Sequence, residues 1–274
     1  MQLPINFHKT FIPERRLIAA LLEYAAKEKS GTYAEIAAET GIPMGASTGK
    51  VPAILDYARG MGLVELKAGV GSSVKNPVLT DFGRVVFLED RMMGEPLTQW
   101  IAHMHLCRWD IGAHAWYQVF GVGRAVLGSS FTPDQLEEYL TNIFGPGQNR
   151  TGPIVRTYLD DAALRRASIL SLEAETIRRK SAPLMSECAK AYAAHVLTLL
   201  DAAFSDRLQV TVSELSERTH WFDVCSWGTT DIDRALSLME STGFVAVDRQ
   251  MRPWVMERRC AANQVWASIY DDLA

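Results

Sequence analysis

Apolar positions recur at helical spacing near the start of the chain. Leu17, Leu21, Tyr24 and Ala25 mark one face of residues 15–29, a stretch rich in the helix formers alanine and leucine. Ser30-Gly31 stops that helix. Thr32 then caps a second, with Glu35 three residues on completing a capping box and Gly41 ending it. A third helix must begin near Gly49, because Pro52 is tolerated only in a first turn; Val51, Ile54, Leu55 and Ala58 form its inward face. LVELKA alternates with period two and reads as a strand. GVGSSVKN turns the chain, and PVLTDFGRVVF returns as a strand that runs into a helix.

The far end repeats the plan. Residues 188–204 predict a helix, VTVSELSERTH a short helix capped by Thr211 or Ser213, and TTDIDRALSLMESTG a third, with Ile232, Ala235, Leu236 and Met239 on one face. FVAVDRQMRPWVMERR follows as a two-stranded hairpin. The expected fold is mainly α, of the α+β class: two winged helix-turn-helix units joined by a helical middle segment. The expected divisions are 1–95, 96–185 and 186–274. In the middle segment, residues 133–144 read as a helix. Residues 160–180 read as a long one carrying Arg165, Arg166, Arg178, Arg179 and Lys180, whose commoner role is a solvated face paired with Asp160, Asp161, Glu173 and Glu175.

The chain's 274 residues and 48% hydrophobic content suit one large or two ordinary folded domains. A net charge of −4 supplies no global attraction to nucleic acid, so any such contact needs a local basic face. Cys107, Cys188, Cys225 and Cys260 lack zinc-ribbon or thioredoxin spacing, and free thiols in a reducing cytoplasm are expected. The greasiest stretch, residues 97–120, holds Arg108, Asp110 and three histidines, too polar to cross a bilayer.

GIPMGASTGKV resembles a nucleotide loop at first sight, but Met44 stands where a P-loop needs its first glycine and Val51 where it needs a hydroxyl. Its position just before the third helix suits a different phosphate. Helix N-terminal N–H groups, the hydroxyls of Ser47 and Thr48 and the charge of Lys50 would hold a DNA backbone. Arg59, Lys67 and Lys75 extend this expected DNA-binding set. Between residues 41 and 84 five basic residues stand against three acids. Gly49, Ala53 and Asp56, expected on the outer face, offer little for reading bases, so phosphate positioning is expected. In the second unit Asp231 and Asp233 would repel a phosphate, and that copy is expected to pack against a partner.

Metal chemistry has weaker signals. His103, His105, Cys107 and His114 match no zinc spacing, and the aromatics around them indicate core. Glu89-Asp90 and Asp160-Asp161 are paired acids, each pair offering one ligand at best.

Four stretches, FHKTFIPER, GIPMGASTGKV, ARGMGLV and LTDFGRVVFLED, with a weaker echo in QWIAHMHL, resemble a bacterial domain-of-unknown-function family. That family is associated with DNA phosphorothioate modification systems and includes an SspB-like nickase component. The resemblance implies a DNA-acting, cytoplasmic protein whose partners are double-stranded DNA, the other proteins of such a system and, as a further expectation, a second copy of itself; no membrane is implied. It also implies that, if the chain nicks DNA, Glu89 and Asp90 bind Mg2+ or Mn2+, with Asp160 or His105 nearby as further catalytic groups. The alternatives are a non-enzymatic transcription regulator and a protein-assembly module.

Overall fold

A computed structural model of the chain describes residues 2–44, 49–67, 73–148 and 150–273. It is an α+β structure of helices with three small antiparallel sheets. The first helices are α1 (Arg15–Ala26), α2 (Tyr33–Thr40) and α3 (Lys50–Gly60). Strands β1 (Val64–Lys67) and β2 (Asn76–Leu79) pair with Val64 opposite Leu79, and α4 (Asp81–Glu89) follows. The expected local signals act as read. Thr32 and Glu35 form the capping box of α2, and Gly41 ends it with a left-handed φ of 69°.

Helix α5 (Pro96–Leu106) is buried along its whole length after Pro96. It packs on α3 and on a later helix, so its polar side chains must find partners inside. Gln99 donates to the Met93 carbonyl at 2.8 Å and accepts from the Ala167 N–H at 3.0 Å. His103 Nδ1 lies 2.6 Å from the Tyr158 hydroxyl. The middle segment continues through a π-helical turn (Tyr117–Val122), β3 (Ser130–Phe131), α6 (Pro133–Phe144) and α7 (Thr151–Leu159).

The long helix expected over 160–180 is not formed. The chain makes a short 3₁₀ turn at Arg165–Ala167, then strands β4 (Leu170–Glu173) and β5 (Thr176–Arg179), which join β3 in the order β3-β5-β4. Alanine, arginine and glutamate favour helix by composition, but Ser168 and Ala174 take left-handed φ values of 54° and 53°, breaking it into a hairpin. Alternation then separates the basic residues. Arg178 faces outward and pairs with Glu173 at 2.9 Å, while Arg179 turns inward between the rings of Phe120 and Phe131, 5.3 and 5.1 Å from their centres.

The last third comprises α8 (Ala189–Ala203), β6 (Gln209–Thr211), α9 (Val212–Thr219), α10 (Thr229–Ser241), β7 (Val245–Asp248) and β8 (Val255–Arg258). It echoes the first third element by element. Thr211 and Glu214 repeat the capping box, glycines cap both third helices, and Gly62 and Gly243 take φ of 69° and 77° before each hairpin. The β6–β8 pairing corresponds to a single bridge, Gly31 to Lys75, in the first third. One continuous hydrophobic cluster runs from Leu3 to Ile269.

Four histidines lie in that interior: His8, His103, His105 and His195. Burial lowers His8 to about 4 and His103 to about 3, and takes His105 and His195 well below the usual value. Each is neutral in the folded chain and gains a proton on unfolding. Their stabilisation is therefore complete above about pH 6.5 and is lost as pH falls toward the folded values, by about 1.4 kcal/mol per pH unit for each histidine. Urea titrations should show the unfolding midpoint dropping steeply between pH 6.5 and 4; a flat midpoint over that window would contradict the neutral core histidines.

Candidate functional site

The expected DNA-binding residues divide into three groups. Ser47 and Thr48 lie outside the described residues. Lys50 opens α3, but its ammonium is paired with Glu14 and rests over the Phe11 ring at 5.5 Å. Arg59 and Lys75, together with Lys9, converge on Asp56. Arg59 donates to the Asp56 carboxylate at 2.8 Å. Burial raises the Asp56 carboxyl, and the charges of Arg59, Lys9 and Lys75 oppose that rise. Lys75 also sits over the Tyr33 ring at 5.5 Å. Lys67 is exposed at the end of β1, opposite Asn76. Three cations around one carboxylate make a local basic face in an acidic chain.

Helix α3 presents no exposed residue. Lys50, Pro52, Asp56 and Arg59 are half-buried and the remainder are buried. Ala53, expected on the outer face, is wholly buried, because α3 is covered by α1 and α2 on one side and by α5 on the other. The corresponding helix in the last third differs. On α10, Thr230, Asp233, Arg234, Ser237 and Ser241 are exposed. Beside it an apolar groove is lined by Val212, Ile232, Pro253 and Trp254.

The acids expected to bind metal are not gathered into one centre. Among the described residues, no three His, Cys, Asp or Glu side chains are grouped to hold a metal ion. Both Asp90 oxygens are engaged: one accepts from the Gly94 N–H at 2.7 Å, the other from the Glu95 N–H at 2.9 Å and the Thr98 hydroxyl at 2.7 Å. Thr98 in turn meets the Tyr270 hydroxyl at 2.6 Å, tying the C-terminal segment to α5. Burial, and then the charges of Asp90, Glu95 and Glu89, push the Tyr270 phenol up. Asp160 accepts from the Ala162 N–H at 2.9 Å in its own turn. Arg15 links that turn to the loop after Asp90, donating to the Asp161 carbonyl at 2.7 Å and to the Met92 carbonyl at 3.4 Å.

Glu89 is exposed at the end of α4, in a narrow groove that shares Asp81, Asn263 and Trp266 with a larger cleft. That cleft encloses about 410 Å³ between α4, α5, α8 and the C-terminal segment, and His105 lies on its wall. The two residues thus line connected hollows but do not meet. Arg108, only 6% exposed, also lines the cleft and is held by two hydrogen bonds to Asp110, at 2.8 and 2.5 Å. The sequence reading did not single out Lys9 near Asp56, or Asp81, Arg108 and Asp201 on the cleft wall. An Arg-x-Asp pair inside an otherwise apolar stretch was the one available signal, and it points to Arg108.

The fold is shared with solved proteins. A magnesium ion-bound SspB crystal structure matches with a TM-score of 0.70 and 17% identity, covering 98% of this chain and 88% of that one. A second SspB crystal structure matches at 0.71 and 17%, with the same coverage. No family model matches the chain, and no curated protein matches its sequence. At this identity the likeness is one of fold.

Asp90 is thus a structural anchor of the α5 N-terminus. Asp90→Ala should cost about 2–4 kcal/mol in urea unfolding, from three lost hydrogen bonds to a charged acceptor. A loss under about 0.5 kcal/mol would show that those bonds do not hold α5 in place.

Proposed function

We propose that this chain is a DNA-binding component of a bacterial DNA phosphorothioate modification or defence system, acting in the cytoplasm. The observation that carries the reading is the fold shared with SspB over nearly the whole chain, in a sequence whose N-terminal motifs resemble the same family. On this reading the first and last thirds are two winged helix-turn-helix units. The first contacts duplex DNA. Lys9, Arg59 and Lys75 meet backbone phosphates around Asp56, Lys67 reaches the flanking strand from the hairpin, and Ser47, Thr48 and Lys50 add further phosphate contacts.

Contact of this kind positions the duplex without reading it. With no exposed side chain on α3, base edges in the major groove have no partner there. This favours a modification-system component over a transcription regulator, which needs base contacts to prefer one operator.

The chain either nicks DNA or presents it for sulfur insertion, and the donor geometry favours presentation. A magnesium ion commonly takes one or two protein carboxylates and completes its shell with water and substrate phosphate. The set Glu89, Asp90, Asp160 and His105 does not fit a ready-made centre, since both Asp90 oxygens and one of Asp160 already accept hydrogen bonds from the chain. Glu89 is the exposed carboxylate that remains for Mg2+ or Mn2+. The second unit suits a protein partner, another component of the system or a second copy of the chain. Its groove is mainly apolar, and Asp233 on the adjoining α10 is paired with Arg249, so that surface offers no net positive charge to a phosphate.

Binding to a short duplex across a salt series tests the reading. The double variant Arg59→Gln/Lys75→Gln should weaken binding to all sequences and reduce the log–log salt slope by about two contacts. No affinity even at low salt would leave only the assembly-module reading. Supercoiled plasmid with Mg2+ or Mn2+ separates the two activities: relaxation lost in Glu89→Ala assigns nicking to this chain, and no relaxation assigns it to a partner.

A further inference from the structure

The cleft between α4, α5, α8 and the C-terminal segment has a chemistry that DNA-backbone binding does not use. At its inner end, Arg108 Nη1 lies 3.3 Å from His105 Nδ1. A guanidinium can only donate, so Nδ1 accepts and the imidazole proton sits on Nε2. Among the described residues that Nε2–H has no partner, and it is sealed from solvent, so His105 acts on the cleft by holding Arg108 in place. Two of the five guanidinium N–H groups of Arg108 remain, since Asp110 takes two and His105 one.

The rim has the opposite character. Asp81 and Asp201 are exposed carboxylates; Asp201 is paired with Arg258 at 2.5 Å, and among the described residues no hydrogen bond or ion pair engages Asp81. Phe82 and Trp266, 4.9 Å apart between ring centres, supply flat apolar wall. The hydroxyl of Thr198 is occupied by the Ala194 carbonyl and the Trp266 indole. The volume of about 410 Å³ falls within the roughly 300–1,000 Å³ range of small-molecule sites.

This polarity selects a ligand class. A simple anion is disfavoured, because Asp110 already neutralises Arg108 and two carboxylates guard the mouth. A simple amine is disfavoured by the donors at the inner end. A planar heterocycle fits, with carbonyl or ring-nitrogen acceptors pointing inward, N–H donors at the rim and a flat face against aromatic wall. We propose that the cleft binds a nucleobase, with Arg108, set in place by His105 and Asp110, reading its acceptor edge and Asp81 its exocyclic amine. The base comes either from a free nucleoside or from a nucleotide unstacked out of DNA, and the chemistry is the same for both. The inference stands on the cleft itself and does not require the basic face to bind DNA.

Calorimetric titration with adenosine, cytidine, guanosine and thymidine tests it. Ala261 is exposed on the cleft wall, so Ala261→Trp narrows the cleft without touching the core. At least one amine-bearing nucleoside should bind one to one. Ala261→Trp should weaken it about tenfold or more, and Asp81→Asn about fivefold, with thymidine the weakest ligand of wild type. A duplex carrying 2-aminopurine separates the sources. A fluorescence rise with wild type and not with Ala261→Trp, at equal duplex affinity, assigns the base to DNA; nucleoside binding without that rise assigns it to a free nucleoside. The proposal is overturned if no nucleoside binds at millimolar concentration and the duplex stays dark, or if Ala261→Trp changes neither signal. Duplex affinity measured alongside reports on the basic face separately.

Discussion

The complete burial of α5 is the constraint from which much of the structure follows. A helix with no solvent face must satisfy every polar group internally, and its two ends need dedicated partners. Asp90 serves the N-terminal end, gathering two backbone N–H groups and the Thr98 hydroxyl. At the other end the Arg108 and Ala113 N–H groups cap the His105 and Leu106 carbonyls, and the Arg108 side chain, clamped by Asp110, leaves the His105 ring neutral and half-satisfied. The first and last thirds both lean on this helix, through α3 and α8. Its burial therefore covers α3 as well, and removes from the first unit the surface with which a third helix would read bases.

The internal repeat shows how context divides two similar units. Both have a threonine–glutamate capping box, a glycine before the third helix and a left-handed glycine after it. One third helix is sealed between neighbours and the other is open along one face. In the first unit Arg59 pairs with Asp56, and the charges of Lys9 and Lys75 act on the same carboxylate. In the second, Arg249 is drawn to Asp233 at 3.4 Å and to Glu240 at 2.7 Å, leaving that surface self-neutralised. Packing and charge thus give the two units different surfaces.

Much of the fold was legible where local chemistry decides it. Caps, helix-stopping glycines, Pro52 in a first turn and the two hairpins all depend on neighbours within a few residues. What was not legible has a cause of longer range. Residues 160–180 read as helix because alanine, glutamate and arginine set the local preference, whereas pairing with β3 and two left-handed residues set the outcome. The roles of Asp90 and Lys50 depend on partners in other elements, Tyr270 behind Thr98 and Glu14, which no spacing rule connects. Lys9 escaped notice because its part in the basic face depends on folding back toward α3. The reading of Ser47 and Thr48 falls outside the described residues.

The central claim is that the first unit meets DNA by charge and not by base recognition. The most direct measurement compares equilibrium affinities for two duplexes of equal length and unrelated sequence at several salt concentrations. The account expects affinities within about threefold and parallel salt slopes, as backbone contacts dictate. A preference of about a hundredfold or more for one duplex would require base contacts that a buried α3 cannot make, and would contradict it.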